Sequence, residues 1–194
     1  MTALWQHPQL GSFVFEDGEW KRILNLPAFD AFAYTADSRL TTAPNGDYSL
    51  VFPVDGGEQI HPLDSAVALA TTLVNHSERL ARAIALAIWN DFRGQGPDSG
   101  MWWHDNIVEV NESIDCAMSD TNSTLPFPQN ATDIQALMRL FEIRIGSSAY
   151  EYDYPLIMFR FYAAFEMEHD VAVLSDAQSI LGIGGDLDVT LFLS

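Results

Sequence analysis

The sequence predicts an α+β fold, a mostly antiparallel β-sheet built from both ends of the chain with a central helical pair packed on it. Three observations carry this. Residues 1–60 read as β-structure, the apolar period lengthens to that of a helix from Pro62 to Arg93, and strands return over 141–194. A chain of 194 residues suffices for one such domain, 1–194, and a hydrophobic content of 48% gives it a core without covalent staples.

Taken in order, Ser12–Glu16 and Glu19–Leu26 flank Asp17-Gly18, a two-residue hairpin signal. The register it implies sets Phe15 opposite Trp20 and Phe13 opposite Arg22. Asn45-Gly46 marks a second turn, the strand Tyr48–Val54 follows, and Asp55-Gly56-Gly57 ends it. In 62–93, Leu63, Val67, Ala70 and Val74 make one helical stripe. Pro62 suits a first helical position and Asp64 the first turn. Asn75-His76-Ser77 breaks the pattern, and Ser77 is placed to cap a second helix, Glu78–Arg93, with Leu80, Ile84, Ala87 and Ile88 turned inward. The pair is expected to pack antiparallel. Trp89 and Arg93 are spaced for a cation–π contact. Residues 94–130 read as a long loop region that covers the core or forms a binding surface. Asp133–Leu140 reads as a short helix, followed by strands at Phe141–Ile145, Leu156–Glu166, Val171–Ser175, Ser179–Gly182 and Asp188–Leu193.

Composition narrows the function classes. Cys116 is the only cysteine, so no internal disulfide forms. The first residues lack the basic and apolar regions of a signal peptide, and no apolar run reaches a membrane span, so a cytoplasmic, bacterial location is the expectation. The sequons at Asn75, Asn111, Asn122 and Asn130 then read as coincidental. Charge is strongly unbalanced, with 27 acids against nine bases for a net −18. Residues 1–100 hold twelve acids and six bases (−6), and 101–194 hold fifteen acids and three bases (−12). Such a surface argues against nucleic acid and anionic membranes as partners, and for a basic protein.

Two clusters are candidate sites. The first is Trp102, Trp103, His104 and Asp105, aromatics in an acidic stretch that suit an interface anchor or closure of the core. The second is Glu166, Glu168, His169 and Asp170, within F-R-F-Y-A-A-F-E-M-E-H-D-V-A-V, Phe159 to Val173. Either one strand runs straight through this stretch or Met167–Asp170 forms a tight turn. Fifteen residues is far longer than an ordinary strand, and Asp tolerates the left-handed conformation, which favours the turn. Carboxylates beside an imidazole serve general-base or divalent-metal chemistry. The structural alternative has His169 bonding a backbone carbonyl and Glu168 pairing with an arginine. His104, Asp105, Asp186 and Asp188 are the further metal-type residues, in no motif spacing. There is no G-x-S-x-G, P-loop, H-E-x-x-H or dinucleotide fingerprint, so no catalytic residue, metal or cofactor is assigned.

Phe161, Phe165, Glu166, Glu168, His169 and Val173 stand at the positions of an F-x-x-x-F/W-D/E-x-E-H-G-x-G-V signature, and Gly182-Ile183-Gly184-Gly185-Asp186 follows loosely a v-G-x-a-D element. In these, in the G-x-F-x-F hairpin at Gly11–Phe15 and in the helical break at Asn75, the chain resembles a bacterial domain family of unknown function. It departs from that pattern at Phe165, where Trp is usual, and at Asp170 and Ala172, where glycine is usual. The resemblance implies no activity.

The functional expectation is a non-enzymatic protein-binding domain, in its sharpest form an immunity or antitoxin-like protein that neutralises a basic partner through its acidic surface. The alternatives are a metal-dependent hydrolase using the Glu/His cluster and a structural or regulatory domain without catalysis.

Overall fold

The computed structural model describes residues 3–35, 44–54, 61–121, 124–146 and 154–185. One eight-stranded sheet runs in chain order, β1 (Ala3–His7), β2 (Gly11–Glu16), β3 (Glu19–Asn25), β4 (Asp47–Pro53), β5 (Met138–Gly146), β6 (Leu156–Ala163), β7 (Glu166–Ser175) and β8 (Ile180–Gly185). Every neighbouring pair is antiparallel except β4 and β5. The sheet is therefore two four-stranded meanders joined at one parallel seam. Parallel neighbours need a long crossover. Here the crossover holds the helices α1 (Asp64–Asn75), α2 (Ser77–Phe92), α3 (Ile107–Thr121) and α4 (Ala131–Ala136).

Phe15 lies opposite Trp20 as the Asp17-Gly18 turn requires, and both turn residues have positive φ. Phe13 is paired with Trp5 of β1, a strand the sequence reading missed. The inward faces of both meanders meet the helices in one aromatic core. Phe29, in a 3-10 turn at Pro27–Ala31, stacks on Phe159 at 5.4 Å, and Phe32 lies 4.9 Å from Phe161. On the outer face, Glu19 bonds Lys21 and Arg144, and Glu142 bonds Arg144 and Arg160. Three of the nine bases are thus engaged on the side of the sheet away from the helices.

The helical stretch differs from expectation in three ways. Helix α1 begins at Asp64, so Pro62 precedes it, and α2 is preceded by His76 with no side-chain cap, Ser77 being its first residue. The two helices do not pack along each other. Helix α1 rests on β5 and β6, whereas α2 packs on α4, the 3-10 turn and β8. A single residue between them, His76, bonded to carbonyls of the last turn of α1, leaves no loop for an antiparallel hairpin. Arg93 does sit over Trp89, at 5.2 Å.

Residues 94–130 are not a long loop. They contain α3, fifteen residues with Val110, Ile114 and Ala117 buried on one stripe. Helix α4 begins two residues sooner than expected because Asn130 caps it, and it ends four residues sooner, at Ala136, where the chain passes into β5. Asn130 accepts from Thr132 N at 2.8 Å while Asp133 accepts from Asn130 N at 3.2 Å, a reciprocal capping box. Asn130 thus has a structural task that its sequon reading obscured. Strand β5 starts three residues sooner than expected, at Met138. The expected strand Asp188–Leu193 lies outside the described residues.

Candidate functional site

Near the C-terminal end of α2 the inward stripe Leu80, Ile84, Ile88 continues to Asp91, only 4% exposed. A carboxylate at a core position needs partners, and this one has them. Its Oδ2 accepts from Trp103 Nε1 and from Ser99 Oγ, both at 2.8 Å, and its Oδ1 lies 2.6 Å from His104 Nδ1. The Asp91 backbone carbonyl also accepts from Gly94 N at 3.0 Å and Asp105 N at 2.9 Å. One residue thus pins the whole 94–105 segment to α2. The fit is close at Gly94, whose φ is +60° and where a Cβ would lie 2.7 Å from Asp105 Cγ. Asp105 itself takes φ 50°.

His104 sits among acids, with Asp91 bonded to Nδ1, Asp98 3.8 Å from Nε2 and Asp105 next in sequence. The hydrogen bond to Asp91 first, and the charges of Asp91, Asp98 and Asp105 after it, hold the imidazole pKa above its ordinary value despite some desolvation. Trp103 is 1% exposed, its ring edge-on to Phe165 at 5.4 Å. It closes the core. Trp102, 41% exposed, is the half of the pair that offers surface.

The second cluster differs from the expected turn. The chain reverses four residues earlier, at Ala164-Phe165, and Glu166 to Asp170 already belong to β7. Phe161 pairs with Val171 and Ala163 with Glu166, so Met167–Asp170 bulge out opposite the single residue Tyr162. Asp170 has the left-handed backbone that favoured a turn, φ 59°, and uses it in the bulge. Glu166, 8% exposed, organises the bulge. Its Oε1 accepts from Glu168 N at 3.3 Å and His169 N at 3.2 Å, and lies 3.3 Å from His169 Nδ1. His169 therefore bonds Glu166 where a backbone carbonyl was expected, and its side chain is 58% exposed.

The two clusters, more than 60 positions apart in sequence, form one region. Trp102 Nε1 donates to Glu166 Oε2 at 2.8 Å, across 64 positions of sequence. Helix α3 joins them, since Ser113 Oγ donates to the Phe165 carbonyl at 3.0 Å. Around this junction Trp102, Asp105, Met167, Glu168 and His169 are exposed, as are Glu109, Glu112, Asp115 and Asp120 on α3. From Gly94 to Met138 the chain has no lysine or arginine.

Among the described residues, no group of three or more His, Cys, Asp or Glu side chains is placed to hold a metal ion. Asp186 and Asp188 lie outside that set. Cys116 is exposed on α3. Sequence reasoning missed Asp91, although an acid breaking an apolar helical stripe beside Phe92 was a visible signal. It also missed Ser99. Comparison with known protein families, with curated proteins and with solved structures finds no match.

Proposed function

We propose that the protein is a protein-binding domain whose contact face is the junction of Trp102, the Met167–Asp170 bulge and the outer face of α3. The observation that carries this reading is the 2.8 Å bond from Trp102 to Glu166, which fixes an exposed indole next to the exposed Met167 and amid a field of acids. An aromatic anchor held in place by a partly buried bond loses little conformational freedom on binding, the usual property of an energetic centre in an interface. The surrounding acids select a basic partner and steer its approach. Helix α3 and its flanks carry no base to offset them, while Lys21, Arg144 and Arg160 are neutralised on the far face of the sheet.

The sharpest form of this reading is an immunity or antitoxin-like protein in the bacterial cytoplasm that covers a basic protein. The resemblance of Phe161–Val173 to a bacterial domain family is compatible with that role. No helix of the described structure is long and apolar enough to cross a membrane. The test is affinity capture from the native cell, read by mass spectrometry, with Trp102→Ala alongside the wild type. A basic protein retained by the wild type and lost with Trp102→Ala, the variant keeping its fold, is the expected result. Equal recovery by both proteins would remove Trp102 from the interface.

A further inference from the structure

Between α2, the loop that follows it and β8 lies a cleft of about 390 Å³, within the roughly 300–1,000 Å³ of small-ligand sites. Its lining is of two kinds. Strand β8 contributes the apolar Ile180, Leu181 and Ile183, while α2 and the loop contribute Asp91, Asp98 and Ser99. Among the described residues no lysine or arginine lines it. Asp91 is 4% exposed and held by Ser99, Trp103 and His104, so its carboxylate is a fixed feature of the wall. Asp98 is the exposed counterpart, with a side chain 75% exposed and Oδ1 accepting from Gly100 N at 2.8 Å.

We propose that this cleft binds an aliphatic ammonium group, with its hydrocarbon stem against β8 and its charge shared by Asp98 and Asp91. The stem gains from leaving water against Ile180 and Ile183, and the charge is drawn to two carboxylates that no base in the lining neutralises. An alkylamine and a lysine side chain of another protein present the same chemistry.

His104 is the internal rival of that ligand. It does not line the cleft, yet Nδ1 is 2.6 Å from Asp91 Oδ1 and Nε2 is 3.8 Å from Asp98 Oδ1. The charged groups facing it are Asp91 from α2, Asp98 from the loop and its neighbour Asp105. Protonated, it offsets with one positive charge part of the negative charge of the two lining acids. Neutral, it leaves that charge to the ligand. Ligand affinity should therefore rise with pH through the His104 titration, by about tenfold for each unit by which ligand and proton exclude one another.

The cleft shares none of Trp102, Met167 and Glu168 with the contact face, so failure here leaves the protein-binding reading standing. The test is titration of the intact protein with n-butylammonium and, separately, its neutral counterpart n-butanol at low salt. The indole N–H resonance of Trp103 is the reporter, because that proton is bonded to Asp91. A saturable shift with the ammonium, at least about tenfold tighter than with the alcohol, is expected. Asp98→Asn should weaken it about fivefold while leaving the exposed loop folded. His104→Gln should tighten binding near pH 6 and abolish its pH dependence. N-acetyl-lysine methylamide separates the sources, since binding equal to that of butylammonium points to a partner's lysine and exclusion points to a free amine. Equal affinity for ammonium and alcohol, no shift up to about 100 mM, or a pH dependence that persists in His104→Gln would overturn the proposal.

Discussion

Asp91 shows how much of this molecule turns on single buried acids. It accepts bonds from three side chains and its carbonyl accepts from two backbone amides, so α2 and the 94–105 segment are fastened at one point. The pair it makes with His104 has a pH signature. The folded imidazole has a pKa above its unfolded value of about 6.5, which means the folded state binds that proton more tightly. The stabilisation is fully present below pH about 6.5 and is lost as pH rises through the folded pKa. The window for this change opens at pH about 6.5 and closes above the folded pKa of His104. We expect the urea midpoint of the wild type to fall across that window and that of His104→Gln to stay nearly level. Parallel curves for the two proteins would show that the pair adds nothing to stability. Trp103 belongs to the same knot. Its burial makes Trp103→Ala a core truncation, costing about 3–5 kcal/mol, and withdraws it from any role as a surface anchor.

At the scale of elements, the bulge of β7 and helix α3 govern the site. Within the bulge, the structure assigns the main task to Glu166 and a minor one to His169. Glu166→Ala leaves the Trp102 indole N–H and two backbone amides without their acceptor, so a loss of about 2–3 kcal/mol is expected by urea denaturation. His169→Ala removes an exposed ring on a 3.3 Å contact, and a change within about 0.5 kcal/mol is expected. The reverse ranking would mean that the histidine, not the buried glutamate, holds the bulge. These elements also show what the sequence could disclose. The hairpin at Asp17-Gly18, the break near His76 and the described strands of the C-terminal half were legible because local turn chemistry and period-two alternation are short-range signals. Helix α3 was legible in principle, since Val110, Ile114 and Ala117 make a regular stripe. It was obscured by the tryptophans before it and the Pro/Thr-rich run after it. The reversal at Ala164-Phe165 was hidden for a different reason. Neither residue is a turn former, and both are buried, so tertiary packing places the turn there. The pairing of Trp102 with Glu166 is a contact between distant segments, which neither periodicity nor spacing encodes.

At the scale of the whole molecule, the two meanders depend on each other. They touch through the parallel seam of Ser49, Leu50 and Val51 with Glu142, Ile143 and Arg144, and through the aromatic core that both halves line. Phe29 and Phe32, before β4, pack on Phe159 and Phe161 of β6. Residues 1–60 and 130–194 expressed separately would each expose that apolar face. Neither fragment should show a cooperative urea transition, and either one doing so would establish two independent folding units.

The same arrangement sets where the charge of the whole molecule is felt. Among the described residues, Lys21, Arg144 and Arg160 are engaged on the outer sheet face, while Glu109, Glu112, Asp115 and Asp120 are exposed on α3, in a stretch of sequence without lysine or arginine. A basic partner should then be steered to this face by charge and kept there by Trp102. The two effects separate kinetically, because long-range attraction acts on association and close packing acts on dissociation. Raising salt from about 50 to about 500 mM shortens the Debye length from roughly 14 to roughly 4 Å. Association with a captured partner should slow by about tenfold or more, with a smaller change in dissociation. Trp102→Ala should speed dissociation and leave association nearly unchanged, since it removes no charge and its ring is half outside the core. Stopped-flow mixing resolves both rates. An association rate indifferent to salt would leave the acidity a matter of solubility, and a Trp102→Ala effect confined to association would place the anchor elsewhere on the face.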